Sequence, residues 1–102
     1  MNVAVSIVDR HAVIGIRGRF VFALRDEFLK GVDQVLVRPE VDTVEIDLAA
    51  TEYIDSAAIG LLLILRDRLE AAGRKRARIT GSKGPVRNVL TMCKLDLLFE
   101  LD

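Results

Sequence analysis

The chain has 102 residues, 51% of them hydrophobic and only 5% aromatic, which predicts one domain, residues 1–102, built around an aliphatic core. Its 15 basic side chains balance 15 acidic ones, a composition that speaks against a dedicated nucleic-acid binder and against a disordered chain. No apolar stretch of signal-peptide pattern follows Met1, and the longest apolar run, Ala57–Leu65, is too short to cross a bilayer, so a cytoplasmic domain without membrane insertion is expected.

Val3, Val5 and Ile7 alternate with Ala4 and Ser6 and read as a strand, followed by a turn at Asp9-Arg10-His11. Ala12 to Arg17, rich in β-branched residues and ending at Gly18, reads as a second strand joined to the first in a hairpin. From Leu24 the period changes: Leu24, Phe28, Val32, Val35 and Leu36 share one side of a helix that Pro39 stops. Thr43 to Leu48 alternates again, with Val44, Ile46 and Leu48 on one face and Thr43, Glu45 and Asp47 on the other. Asp55 and Ser56 precede a helical run to Ala72, closed by Gly73. Ala77 and Ile79, between Arg76, Arg78 and Thr80, predict a fourth strand; Gly81 to Gly84 reads as a loop. Pro85 suits the first turn of a short helix to about Cys93, and Leu97 to Leu101 is a candidate last strand.

No repeat or linker interrupts the chain. Strands and helices alternate from residue 41 onward, which predicts crossover connections and parallel pairing. Three strands have one polar face, so the expected fold class is α/β, a mixed four- to five-stranded sheet with helices mainly on one face. Val44, Ile46, Leu62, Leu65 and Ile79 are expected in its core. Residues 1–60 carry 6 basic and 10 acidic side chains against 9 and 5 in residues 61–102, a pattern that fits two solvated faces of opposite sign.

The most informative segment is residues 47–65, in which a strand ends, a loop carries two carboxylates, and an apolar helix begins at or near Ser56. The plain reading of Ser56 is an N-cap, worth about 1 kcal/mol. Along the helix, Ala58, Leu61, Leu62, Leu65, Leu69 and Ala72 form a core stripe. Ser56, Gly60, Leu63 and Asp67 form another, at spacings i, i+4, i+7 and i+11. A glycine inside a helix costs about 1 kcal/mol relative to alanine, so the second stripe needs a reason. Either another molecule approaches closely at Gly60, or Leu63 packs beneath a neighbouring helix.

Asp55-Ser56-Ala57-Ala58-Ile59-Gly60, after the strand Val44 to Leu48, resembles the phosphorylation-site segment of the STAS family, which includes the anti-sigma factor antagonists. The resemblance extends to Ile16-Arg17-Gly18-Arg19-Phe20 before the first helix, to Gly84–Leu90, and to Leu95-Asp96-Leu97-Leu98-Phe99. It implies a STAS-like fold and a non-catalytic protein that needs no cofactor. It further implies a partner that is both an anti-sigma factor and a GHKL-type Ser/Thr kinase. That kinase phosphorylates Ser56 and is thereby released, and a metal-dependent Ser/Thr phosphatase reverses the step. The partner-binding set carried over is Asp55, Ser56, Ile59, Gly60, Leu63 and Asp67. Two features depart from the family pattern: Ala57 and Ala58 stand where Ser, Thr or Gly is frequent, and Val21 stands where many antagonists carry Asp.

Other chemistry is weaker. Gly81-Ser82-Lys83-Gly84 lacks the spacing of a phosphate loop and reads as a turn. Asp47 and Asp55 are too few for a hard-cation site, and Cys93, the lone cysteine, reads as a small core residue. Arg74, Lys75, Arg76 and Arg78 follow a helix end and read as compensation of its dipole plus the polar face of a strand. Ser56 as an enzyme nucleophile lacks a base, since the one histidine, His11, lies in the hairpin. The alternative function is a STAS accessory subunit of a membrane transporter or another signalling complex, without phosphorylation.

Overall fold

In the computed structural model, which describes residues 2–102, β1 (Val3–Val8) and β2 (His11–Ile16) form an antiparallel hairpin. Its loop is Asp9-Arg10, and Asp9 takes a left-handed φ of 56° that a short polar side chain tolerates. Val3, Val5 and Ile7 pair with Ile16, Ile14 and Ala12, so the apolar set of both strands shares one face. A 3-10 turn at Phe22–Leu24 leads into α1 (Arg25–Leu36), which buries Phe28, Val32 and Val35 and ends just short of Pro39. Three parallel strands then join the sheet: β4 (Thr43–Asp47), β6 (Arg78–Thr80) and β7 (Glu100–Leu101). The helices α2 (Ser56–Ala71) and α3 (Gly84–Met92) supply the later crossovers.

The sheet order is β1-β2-β4-β6-β7. Each parallel step runs through a helix and moves the same way across the sheet. Right-handed crossovers in one direction stack all three helices on one face. The opposite face stays open and carries Thr43, Glu45 and Asp47 of β4 beside Arg78 and Thr80 of β6. The strand register is therefore the expected one, and Val44, Ile46, Leu62, Leu65 and Ile79 lie together in the core. Phe20 and Phe28 join them with ring centroids 5.2 Å apart, and Phe99 closes the far end.

The expectations fail at four places. A second, two-stranded parallel sheet joins β3 (Gly18–Phe20) to β5 (Thr51–Ile54), where a strand end and a loop were expected. These strands are short, and the ribbon shifts register between Gly18 and Arg19, so neither shows simple alternation. Ala72 is exposed rather than in the core, because α2 stops at Ala71 and the chain leaves the helical period there. Cys93 is exposed, not a core residue, because it caps the C-terminal end of α3 as that helix leaves the core. The last strand is only Glu100–Leu101, since Leu95–Leu97 tightens into a 3-10 turn that buries Leu95.

Within the basic cluster, Arg74 serves a different helix from the one it follows, while Arg78 lies on β6 and pairs with Asp102. The Arg74 guanidinium donates to the carbonyls of Leu36 and Val41, both at 3.0 Å, and so satisfies the C-terminal end of α1. Arg68 pairs with Asp33 at 3.0 Å, tying the basic C-terminal part of the chain to the acidic N-terminal part.

Candidate functional site

The site is built where the small ribbon hands the chain to α2. β5 holds the backbone extended through Asp55, whose φ of −114° and ψ of −177° are those of an N-cap. Asp55 Oδ1 accepts the Ala58 N–H at 2.9 Å, and the Asp55 N–H donates to the Phe20 carbonyl at 3.4 Å, tying the cap to β3. The cap is therefore Asp55 and not Ser56. Ser56 is the first helical residue, exposed, with a hydroxyl that makes no hydrogen bond among the described residues. A side chain at this position stands beside the unsatisfied N–H groups and positive dipole end of a 16-residue helix.

The remaining positions divide along α2. Gly60 and Asp67 are exposed, while Ile59 and Leu63 are half-buried and pack against the core. The stripe is thus open at Ser56, Gly60 and Asp67, but Leu63 belongs partly to the core. A Cβ built on Gly60 meets nothing within 4 Å among the described residues, so no contact there requires a glycine.

Two exposed aromatic residues lie in the segments that lead into the site and into α1 without having stood out in the sequence. Tyr53 is 45% exposed and carries the Arg19 guanidinium over its ring, 4.4 Å from the centroid, as the pairing of β3 with β5 dictates. Phe22, 66% exposed, follows in the turn before α1. Each sits in an element too short for periodicity to reveal. Phe20 pairs with Ile54, which brings the next residue, Val21, alongside Asp55. The place where an aspartate is frequent in the antagonists is thus at the site and holds an uncharged, half-buried side chain.

Chemistry elsewhere is sparse. Among the described residues no three His, Cys, Asp or Glu side chains gather as a metal site. None of the described helices is long and apolar enough to cross a membrane. His11 lies on the open face of the sheet, away from the helices. Its Nδ1 meets Thr43 Oγ1 at 2.7 Å and its Nε2 meets Glu45 Oε1 at 3.1 Å. The Thr80 hydroxyl donates to Glu45 Oε2 at 2.7 Å, and this bond, with His11 adding to it, holds the Glu45 carboxyl below its ordinary value.

The family model of the STAS domain matches residues 2–102. A STAS-domain containing protein of Pseudomonas aeruginosa is 33% identical over 98 residues, which span 94% of this chain and 92% of that protein. An anti-sigma factor antagonist from Mycobacterium paratuberculosis superposes with a TM-score of 0.78 at 20% identity, covering 97% of this chain and 82% of that one. The phosphorylated form of the Bacillus cell fate determinant SpoIIAA superposes with a TM-score of 0.74 at 17% identity, covering 98% and 90%. At these identities the two structures share the fold, while the family model and the Pseudomonas relative fix the lineage. The chain belongs to the STAS domain family.

Proposed function

We propose that this domain is a cytoplasmic, non-catalytic anti-sigma factor antagonist that works by partner switching at the start of α2. With Ser56 unmodified, the surface of Asp55, Ser56, Ile59, Gly60, Leu63 and Asp67 binds an anti-sigma factor that is also a GHKL-type Ser/Thr kinase. That kinase transfers the γ-phosphoryl group of ATP to Ser56 Oγ, leaving ADP, and the modified domain dissociates. A metal-dependent phosphatase hydrolyses the phosphoester and restores the binding form.

The observation that carries this reading is the separation of roles between Asp55 and Ser56. Because Asp55 caps the helix, the Ser56 hydroxyl is free for modification. The phosphate would bring a charge of about −1.5 to −2. A helix N-terminus accommodates an anion, so the fold is expected to persist. The contact surface is different: its partly apolar patch would have to desolvate that charge, which disfavours docking. Gly60, with open space above it, lets a partner backbone come close. The fold shared with antagonists, one of them solved phosphorylated, supports the same reading.

Intact-mass measurement tests it. Incubation with ATP and the GHKL-type kinase of the same organism should add one phosphate to the wild-type chain and none to Ser56→Ala. Equal phosphorylation of Ser56→Ala would move the acceptor to Ser6, Ser82 or a threonine and remove the basis of the proposal.

A further inference from the structure

β1 is an outer strand of the sheet. A two-residue loop after Val8 makes Val8 and His11 a hydrogen-bonded pair, so Ala4, Ser6 and Val8 turn their backbone groups toward β2. Val3, Val5 and Ile7 therefore turn theirs outward. Two bonds agree with this phase: the Arg17 N–H donates to the Asn2 carbonyl at 2.9 Å, and the Val3 N–H points out to Glu27 Oε2 at 2.7 Å. The outward N–H groups of Val5 and Ile7 meet no acceptor among the described residues.

Exposed edges are ordinarily guarded by a charge, a proline, a bulge or a covering element. β1 reads Val-Ala-Val-Ser-Ile-Val, without charge or proline, and pairs with β2 without a bulge. Among the described residues its one guard is Glu27, at the Val3 end. Alongside runs a groove of about 310 Å³ between the strand and the outer flank of α1, lined by Val3, Val5, Glu27, Lys30, Gly31 and Gln34.

The position of α1 selects what fits there. A Cβ on Gly31 would lie 3.1 Å from Val5 Cγ2 and 3.6 Å from Val3 Cγ1, so the helix rides directly above β1. A second copy paired antiparallel, edge to edge, would keep its helices on the same face and set the two strands about 4.8 Å apart. Its own α1 would then stand at about the same spacing, whereas packed helices need about 8–10 Å. The edge accepts a strand that has no helix above it. Lys30 forms no ion pair among the described residues, while the Glu27 carboxylate is engaged by the N–H groups of Asn2 and Val3. The free charge in the groove is therefore positive, beside the amide of Gln34.

We propose that the β1 edge binds an extended segment of a partner protein by strand addition. The segment runs antiparallel to β1, with aliphatic side chains opposite Val3 and Ile7 and a carboxylate opposite Val5. That carboxylate meets Lys30 and Gln34 and stays clear of Glu27. This surface is separate from the start of α2 and does not depend on Ser56.

The probe is the blocked peptide acetyl-Thr-Ile-Ser-Glu-Ser-Val-Thr-amide, added at millimolar concentration to the isotope-labelled chain and followed by NMR. Amide exchange at Val5 and Ile7 should slow at least about tenfold, as backbone bonds to the peptide form. Lys30→Glu, an exposed substitution, should weaken binding up to about fivefold, and a peptide with Lys in place of its Glu should recover it. Unchanged exchange at Val5 and Ile7 would overturn the proposal. So would a Lys30→Glu variant that keeps the wild-type preference between the two peptides. Protection that appears without peptide and grows with protein concentration would overturn it in favour of a second copy.

Discussion

Asp55 and Ser56 are neighbours with different work, and substitution should separate them. Asp55→Ala removes the oxygen that accepts the Ala58 N–H and should cost about 1 kcal/mol of stability. Ser56→Ala removes a hydroxyl that makes no hydrogen bond among the described residues, and its melting temperature should stay close to wild type. Thermal melts of the two variants side by side check this. The cap chemistry was visible in the sequence as an Asp-Ser pair before an apolar helix. Which of the two caps was not, because it depends on β5 holding Asp55 extended, and β5 owes its form to pairing with a distant segment.

Glu45 offers a second test at the same scale. Its carboxyl is held below the ordinary value of 4.5 by the Thr80 hydroxyl first and then by His11. A depressed value means that the folded state favours the charged form. The stabilisation is present above pH 4.5 and is lost as pH falls through the folded value. Glu45→Gln should therefore melt below wild type at neutral pH, and the gap should narrow as the pH drops below 4.5. A gap that widens with acid would contradict that assignment.

Within elements, the glycines distinguish fold from function. Gly60 sits inside α2 with open space around it, so Gly60→Ala should stabilise the protein by up to about 1 kcal/mol. Gly60→Lys should also leave the fold intact, while blocking a partner that approaches there. Gly81 is the contrast: its φ is +75°, and a Cβ would lie 2.8 Å from the Ala49 backbone nitrogen. Gly81→Ala should destabilise by about 1–3 kcal/mol, read by denaturant unfolding. Leu63 separates the two effects poorly, because its half-buried side chain serves the core and the surface together. That dual position explains why sequence periodicity placed it on a second stripe. A 100° period ranks directions around a helix, but the width of the buried face depends on what the helix packs against.

For the whole molecule, the alternation of strands and helices predicted parallel crossovers, and the polar face of three strands predicted one covered and one open sheet face. Three right-handed crossovers in one direction admit little else. The β3–β5 ribbon lay beyond such reasoning, since each strand is short and pairs only across a long separation. Yet this ribbon sets the cap, presents Tyr53 and Arg19, and brings Val21 to the site. The Val21 position bears on how the proposed kinase engages, because it removes a carboxylate and leaves Asp55 as the acid next to Ser56. A phosphate at the start of α2 is expected to change what the surface binds without changing the fold around it. Far-ultraviolet circular dichroism of the phosphorylated and unmodified forms should therefore coincide.

The most direct measurement is a calorimetric titration of the proposed partner, a GHKL-type anti-sigma kinase of the same organism, with two forms of the chain, unmodified and phosphorylated at Ser56. The unmodified chain should bind, and the phosphorylated chain should lose at least about tenfold in affinity, or about 1.4 kcal/mol. Equal affinity of the two forms would contradict a switch at Ser56.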